Sequence, residues 1–109
     1  MEPGESLSEG CEREVLEETG LSVRVKRLIS ANTNPDILLE YPDGNRWQLV
    51  VLHFEAEAIG GTLRGSDEST EVAYYSLAET AGLPMSRFDR LRIDDAFAGQ
   101  AGAVIRDRF

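Results

Sequence analysis

One segment near the start of the chain, Glu5–Leu21, constrains the fold more than any other part of the sequence. Ser6 and Glu9 match a capping box, in which the serine caps a helix and the glutamate reaches back to it. Gly20 is typical of the position just after a helix, where a left-handed backbone costs glycine little. The segment therefore predicts a helix over Leu7–Thr19, roughly 18–20 Å long at 1.5 Å per residue.

The predicted helix gathers acidic side chains on one side. On a helical wheel at 100° per residue, Glu14, Glu17 and Glu18 share a sector of about 100°. The apolar stripe of the helix adjoins that sector, so we expect these carboxylates at the edge of the buried face. Like charges four residues apart repel by roughly 0.2–0.5 kcal/mol, and Arg13 alone cannot balance three acids. A hard divalent cation can, because Mg²⁺ prefers carboxylates together with water and phosphate oxygens.

The same residues carry a resemblance to a known family. Glu5, seven intervening residues and the segment Arg13–Leu21 match the pattern E-x7-R-E-U-x-E-E-x-G-U, in which U is apolar. This pattern resembles the Nudix box from its first glutamate onward. The leading glycine of the box would lie six residues before Glu5, ahead of Met1. We therefore expect a truncated form of a longer domain, with its N-terminal strands missing.

The resemblance implies a role for each charged residue of the motif. Glu17 and Glu18 resemble metal ligands, and Glu14 resembles a further ligand or a base that orients the attacking water. Arg13 resembles the residue that positions the carboxylates, and Glu5 an outer metal ligand or a loop anchor. The implied reaction is attack of water on a phosphorus of a diphosphate, with Mg²⁺ or Mn²⁺ polarising the phosphoryl oxygens. Arg13, Glu14 and Glu17 are accordingly predicted to be catalytic.

A further catalytic glutamate is predicted downstream, because some Nudix enzymes take one from a distant loop. The segment Gly65–Glu71 is a dense acidic stretch in a suitable place. We predict Glu68 for this role, with Glu71 as the second choice. The alternative is an ordinary solvated loop.

Two other side chains are predicted to contact substrate. Trp47 flanks a turn together with Tyr41 and is placed to stack on a base, although sheet packing is the commoner role. Arg64 is placed to reach a phosphate, although a solvated loop is the default. His53, the single histidine, is expected to be a satisfied core or surface residue rather than a catalytic one. Cys11, the single cysteine, lies on the apolar stripe and is expected to pack.

The rest of the chain predicts short strands, turns and two helices. Pro42–Asn45 is a strong turn signal that joins the second and third strands as a hairpin. Gly60 and Gly61 are expected to end the third strand, and Gly99–Phe109 to form a tail or a short terminal element. The predicted elements are the strands Leu21–Ile29, Ile37–Tyr41, Trp47–Ala58 and Glu71–Tyr75 and the helices Ser76–Thr80 and Arg87–Phe97.

These elements predict one domain over residues 1–109 in the α/β (α+β) class. The family resemblance implies the Nudix-type α/β/α sandwich with a mixed sheet, without its N-terminal strands. Self-association is a further prediction, since an open sheet edge invites pairing with a second copy as a homodimer.

The charge balance excludes several classes of partner. Acids outnumber bases by 20 to 11, a net charge of −9, so the chain offers no basic face to duplex nucleic acid or to an anionic membrane.

The longest apolar run, Leu49–Leu52, is too short to span a bilayer. A single cysteine allows no intrachain disulfide and fits the cytoplasm. The predicted partner is a small phosphorylated nucleotide.

Two functions stay open from the sequence. The first is Mg²⁺- or Mn²⁺-dependent hydrolysis of a nucleoside diphosphate linked to another moiety, with nucleoside triphosphates, ADP-ribose and nucleotide sugars all as candidate substrates. The second is a non-catalytic module that binds a nucleotide or a protein partner. The crowded acids favour the enzyme, because a pure binding module does not need them.

Overall fold

A computed structural model of the protein describes residues 1–66 and 72–109. These ranges contain α1 (Leu7–Thr19), β1 (Leu21–Glu40), β2 (Arg46–Gly61), α2 (Leu77–Thr80), α3 (Arg87–Phe97) and β3 (Val104–Arg106). The strands form one sheet in the order β2-β1-β3. β1 and β3 are parallel, whereas the short turn between β1 and β2 makes that pair antiparallel. The predicted α+β class with a mixed sheet is confirmed.

The first helix begins and ends where its capping residues predict. The Ser6 side chain accepts the Glu9 N–H at 3.1 Å, and the Glu9 carboxylate accepts the Ser6 N–H at 3.1 Å. The bond from the Ser6 backbone, and next that from its side chain, lower the pKa of the Glu9 carboxyl. Gly20 ends the helix with a φ of 78° and donates its N–H to the Leu16 carbonyl at 2.9 Å. The predicted helix over Leu7–Thr19 is confirmed.

The end of β2 folds back onto the end of α1. Thr62 donates its backbone N–H to the Gly20 carbonyl at 3.2 Å, and Arg64 donates its own to the Thr19 carbonyl at 2.7 Å. A Cβ atom on Gly20 would lie 2.2 Å from the Thr62 carbonyl oxygen. A Cβ atom on Gly61 would lie 2.3 Å from the Gly20 carbonyl oxygen. Both positions therefore require glycine for close backbone approach as well as for their positive φ.

β1 is one strand where the sequence predicts two. The predicted strands Leu21–Ile29 and Ile37–Tyr41 are joined by a polar stretch that stays extended because its side chains find partners. Ser30 and Asn32 are fully buried. The Asn32 amide donates to Ser30 Oγ at 3.0 Å and to the Val51 carbonyl at 3.1 Å.

The short strand β3 secures the same polar stretch from the other side. Its parallel register sets Ser30 opposite Val104 and Asn32 opposite Arg106. The Arg106 guanidinium donates to Asn32 Oδ1 at 2.9 Å and to the two Asp95 carboxylate oxygens at 2.9 and 3.2 Å. The predicted terminal element is therefore a strand that joins the sheet beside β1.

The predicted hairpin forms across Pro42–Asn45. Tyr41 donates its backbone N–H to the Asn45 carbonyl at 2.9 Å, and Gly44 donates to the Tyr41 carbonyl at 2.9 Å. Gly44 has a φ of 86°, which a residue with a side chain adopts only at a cost. The hairpin prediction is confirmed.

Two further predictions about strands are wrong. β2 does not stop before Gly60 and Gly61 but includes both, because the contact with Gly20 holds its end in place. Val72–Tyr75 forms no strand, and Glu71, the first residue of that predicted strand, lies outside the described residues. Tyr74 is 70% exposed, so this segment lacks the half-buried face that stabilises a strand.

The two short helices follow their caps. Ser76 and Glu79 form a reciprocal capping box at the start of α2, with bonds of 2.9 and 3.2 Å. Ser86 caps α3 by accepting the Asp89 N–H at 3.1 Å. Both predicted helices are confirmed.

The chain divides into two compact units. The first contains Met1–Arg27 and Glu55–Ala81, and the second contains Leu28–Phe54 and Gly82–Phe109. Among the described residues, Ile29 is the one apolar side chain that is buried. It lies next to the buried polar stretch of β1. None of the helices described here is long and apolar enough to cross a membrane.

We expect Gly20→Ala to lower the free energy of unfolding by roughly 2–5 kcal/mol, because a methyl group would both strain the left-handed backbone and meet the Thr62 carbonyl. Gly44→Ala is the matched control, since it has a similar φ but nothing within 4 Å of the new Cβ. The free energy of unfolding of Gly44→Ala should fall by about 1–2 kcal/mol only. Urea denaturation of both variants measures the difference, and equal losses would contradict the role of the contact.

Candidate active site

Arg13 lies at the centre of a cluster of charged side chains. Its Nε donates to Glu5 Oε2 at 2.8 Å and its Nη2 to Glu5 Oε1 at 3.2 Å. Its Nη1 donates to the two Glu17 carboxylate oxygens at 3.2 and 3.1 Å. Carboxylate oxygens of Glu14 and Glu2 lie 3.7 and 3.8 Å from the same guanidinium. One base therefore contacts four acids, and Glu2 is a member that the motif does not predict.

Local structure explains how this cluster forms. Arg13 and Glu17 are four residues apart on α1, so their side chains lie on one helix face and form an ion pair. Glu5 precedes the helix and is held by a turn, in which the Glu2 backbone N–H donates to Glu5 Oε1 at 2.7 Å. The planar guanidinium has donors on several sides, so it can bind a carboxylate in front of the helix and another along it.

The guanidinium sets the electrostatics of the cluster. Hydrogen bonds from Arg13, and next from the Glu2 backbone, hold the pKa of the Glu5 carboxyl below its ordinary value. The bond to Glu5 in turn raises the pKa of Arg13. Both groups are therefore charged throughout the neutral pH range.

The acidic sector lies in solvent rather than at the edge of a buried face. The side chains of Glu14 and Glu17 are 52% and 61% exposed, and Glu18 is exposed as well. The expectation is wrong because the apolar stripe beside the acids is itself only partly covered: Leu7 is exposed, and Cys11 is half-buried.

The predicted packing role of Cys11 is met in part, and burial raises the pKa of its thiol.

The donor chemistry of α1 fits a hard divalent cation. Glu14, Glu17 and Glu18 present exposed carboxylates, which are the ligands that Mg²⁺ prefers. Within residues 1–66 and 72–109, no three Asp, Glu, His or Cys side chains converge closely enough to hold an ion between them. Arg13 engages both Glu17 oxygens. Metal ligation by Glu5, Glu14, Glu17 and Glu18 therefore stays a prediction.

Glu12 has a role that the sequence does not reveal. Its Oε2 accepts the backbone N–H of Val25 at 2.9 Å, so it ties α1 to β1. The bond satisfies a strand N–H that would otherwise need another partner. No local spacing signals such a contact, because it depends on how the helix packs on the strand.

Arg64 lies beside the end of α1. A Cβ atom on Gly20 would lie 2.6 Å from the Arg64 Cγ, and Arg64 Nη1 donates to the Gly65 carbonyl at 3.3 Å. A cation at this place complements the partial negative charge of a helix C-terminus. Its predicted contact with a phosphate is untested.

Trp47 belongs to the second unit, whereas the motif carboxylates belong to the first. Its ring contacts that of Tyr41 edge to face, with centroids 5.9 Å apart. A cavity of about 440 Å³ lies beside the two rings. The predicted base Glu68 and its second choice Glu71 lie outside the described residues.

His53 also belongs to the second unit and is half-buried on β2. In the described part of the chain its Nδ1 is buried without a hydrogen-bond partner. Burial, and next the charge of Arg92, lower the pKa of His53. The half-buried ring fits the structural role that the sequence predicts, but the unpartnered Nδ1 differs from the satisfied residue that was expected.

The charged motif and the sequence around it are similar to known proteins. The model of the NUDIX domain matches residues 1–96, which include α1 and its charged cluster. The chain belongs to the NUDIX domain family. An ADP-ribose pyrophosphatase of Methanocaldococcus jannaschii is 33% identical over 93 residues, which are 85% of this chain and 50% of that protein. This NUDIX chain thus spans about half the length of the curated relative it matches. The family prediction is confirmed, and proteins of this family generally use divalent metal ions.

Replacing Arg13 with glutamine should raise the pKa of the Glu5 carboxyl towards its ordinary value, because Arg13 is the main cause of the lowering. In wild type, the stabilisation that Glu5 provides is present above its ordinary pKa and is lost as pH falls through the lowered value. NMR titration of the Glu5 carboxyl measures the change. Arg24→Gln, an exposed base on β1, is the control and should leave it unmoved.

The imidazole of His53 should titrate below its ordinary pKa of 6.5. Since the unfolded chain then binds the proton first, the stability that neutral His53 provides is lost as pH falls from 6.5 towards the folded pKa. Arg92→Gln should raise the His53 pKa, whereas Arg87→Gln on the same helix should not. The single histidine gives isolated NMR signals for this titration. A His53 pKa at or above 6.5 would contradict the effect of burial.

Proposed function

We propose that this chain hydrolyses the diphosphate of a nucleoside diphosphate linked to another moiety, in a reaction that depends on Mg²⁺ or Mn²⁺. The observation that carries the proposal is the Arg13 cluster, which gathers Glu5, Glu14 and Glu17 of the family motif around one guanidinium. The name of the matched relative makes ADP-ribose the first substrate to test. Nucleoside triphosphates and nucleotide sugars are the next candidates.

The residues of the cluster have different proposed roles in the reaction. Arg13 orients the carboxylates of Glu5 and Glu17 through charge-assisted hydrogen bonds. Glu14 is more than half exposed, and its Oε1 lies 3.7 Å from the guanidinium and 3.6 Å from the Met1 ammonium. Its proposed role is to take a proton from an attacking water. Glu18 presents a further exposed carboxylate on the same helix.

Electrostatics support the need for a cation. The chain has a net charge of −9, and a diphosphate substrate is itself negative, so the two repel unless a positive charge lies between them. Glu14, Glu17 and Glu18, with Glu5 as an outer ligand, are the residues proposed to hold it. A bound divalent cation supplies polarisation of the phosphoryl oxygens and a lower pKa for the attacking water.

The rate of ADP-ribose turnover should fall by about 100-fold or more in Glu17→Gln. The variant removes the negative charge of the carboxylate and keeps the size and shape of the side chain. AMP release from ADP-ribose and a nucleotide panel with Mg²⁺ or Mn²⁺, resolved by chromatography, measures it. Glu40→Gln, an exposed acid on β1, is the matched control and should keep wild-type turnover. Equal activity in wild type and Glu17→Gln would remove this carboxylate from the mechanism.

The same samples test the non-catalytic alternative. Binding of Mn²⁺ through Glu17 is measured by the broadening of NMR signals from α1. A folded chain that binds Mn²⁺ in this way but turns over no nucleotide would be a binding module. Turnover that depends on Glu17 would exclude that alternative.

Three further residues are proposed for the same reaction. Glu68 is the proposed downstream base, and unchanged turnover in Glu68→Gln would withdraw it. Trp47 and Arg64 are the proposed contacts for a base and a phosphate. Trp47 is the single tryptophan, so quenching of its fluorescence by ADP-ribose tests the first contact directly.

The remaining proposals concern domain organisation, location and self-association. We propose one domain over residues 1–109 and a cytoplasmic location, the latter supported by the free thiol of Cys11. A homodimer through a sheet edge is supported by the short register of β3, which runs along β1 from Ser30 to Asn32. β1 has 20 residues, so within residues 1–66 and 72–109 this ladder covers a small part of it, and an open strand edge can pair with another chain.

A further inference from the structure

The second unit contains a cavity that is lined by β2 and by the first part of α3, here called the His53 cavity. Its volume is about 330 Å³. The residues that line it are His53, Met85, Asp89, Arg92 and Ile93. The His53 cavity shares no residue with the Arg13 cluster or with the cavity beside Trp47, so it has no part in the hydrolysis proposed above.

Two buried nitrogen atoms of the lining residues have no hydrogen-bond partner. Within residues 1–66 and 72–109 these atoms are His53 Nδ1 and Arg92 Nε. Most buried polar atoms of folded proteins are hydrogen-bonded, so each exception requires an explanation. Because both residues line the same cavity, one bound group that contacts both nitrogens would explain the pair.

The two nitrogens define the chemistry of that group. The Nε–H of Arg92 can only donate, and Nδ1 of His53 donates whenever it carries the ring proton. Arg92 Nη1 donates to Asp89 Oδ1 at 3.4 Å, which leaves the Nε side of the guanidinium for another acceptor. The guanidinium lies 5.6 Å from the centroid of the Phe88 ring, a contact that orients its plane.

We propose that the His53 cavity binds a phosphate group, with Arg92 Nε–H and His53 Nδ1–H as its donors. The planar guanidinium matches phosphate oxygens, and the several oxygens of one phosphate can accept bonds from a strand and a helix together. Met85 and Ile93 contribute apolar surface, and a less polar surrounding strengthens the attraction between opposite charges. A metal cation is disfavoured there by the charge of Arg92.

The size of the cavity agrees with a group larger than one water molecule. A single water needs roughly 10–15 Å³, far less than the volume of the His53 cavity. The Asp89 side chain is 53% exposed and contacts Arg92 at a long distance, so it neutralises the guanidinium only weakly. A positive charge is therefore left for a bound anion.

The charges around His53 provide a direct measurement of binding. Burial, and next the charge of Arg92, lower the pKa of His53, whereas the charge of Asp95 raises it. Asp95 is paired with Arg106, and Asp89 lines the cavity beside Arg92. A phosphate bound at His53 adds negative charge next to the ring, so it must raise the His53 pKa.

The experiment follows the His53 imidazole of the full chain by NMR across pH, in sodium phosphate and in sodium chloride of equal ionic strength. A chelator is present, so that phosphate held through a metal on α1 does not contribute. Phosphate should raise the His53 pKa by about half a unit or more, with a saturable dependence and a Kd of about 1–10 mM or lower. Methyl phosphate is the second probe: tighter binding of it would identify a phosphate monoester as the ligand, and tighter binding of inorganic phosphate would identify the free ion.

A matched pair of variants separates the site from general charge effects. Arg92→Lys keeps the positive charge but loses the Nε–H and the planar fork, so the phosphate Kd should rise about tenfold or more. Arg87→Lys, on the same helix but outside the His53 cavity, should bind as wild type does. Circular dichroism verifies that both variants are folded.

Three results would overturn the proposal. Equal His53 pKa values in phosphate and in chloride would mean that water alone contacts the two nitrogens. A shift that grows in proportion to phosphate concentration without saturation would mean an adventitious ion only. Equal phosphate Kd values for wild type and Arg92→Lys would remove the guanidinium from the site.

Discussion

The close backbone approach between Gly20 and Thr62 is the contact on which the first unit depends. It joins three events at one point: α1 ends, β1 begins, and β2 returns to the helix. A side chain at Gly20 would separate them, because its Cβ would lie 2.2 Å from the Thr62 carbonyl oxygen. The glycine of the motif is therefore a constraint on the fold, and it fixes the helix that carries the acids relative to the strand ends of its own unit.

Arg13 provides the second organising interaction, and it explains how one helix tolerates so many acids. Its contacts with Glu5, Glu14 and Glu17 spread one positive charge over a carboxylate in front of the helix and two along it. A lysine would not serve equally, because its ammonium is a point charge on a flexible stem and lacks the planar fork of the guanidinium. The motif thus specifies a charge and also a shape.

Local signals in the sequence predicted much of this fold, and long-range contacts account for the rest. The caps Ser6 and Gly20 and the turn Pro42–Asn45 act within a few residues, so α1 and the hairpin could be read directly. The continuity of β1 could not, because Asn32 stays in the strand through bonds to Val51 and Arg106. Within the site, the motif identified Glu5, Glu14 and Glu17 around Arg13 but not Glu2. It could not show that the acids lie in solvent, since their exposure depends on what packs beside the helix.

The pairing of β3 with β1 has a consequence for the order in which the chain folds. Asn32 and Arg106 are 74 residues apart, whereas the hairpin and the helices close over short distances. Loop closure over such a span is slow, so the local elements should form first and β3 should dock last. During synthesis at about 5–20 residues per second, Asn32 waits about 4–15 s for its partner. For that time the middle of β1 is a polar strand with an open edge, and a chaperone that shields it would act in this interval.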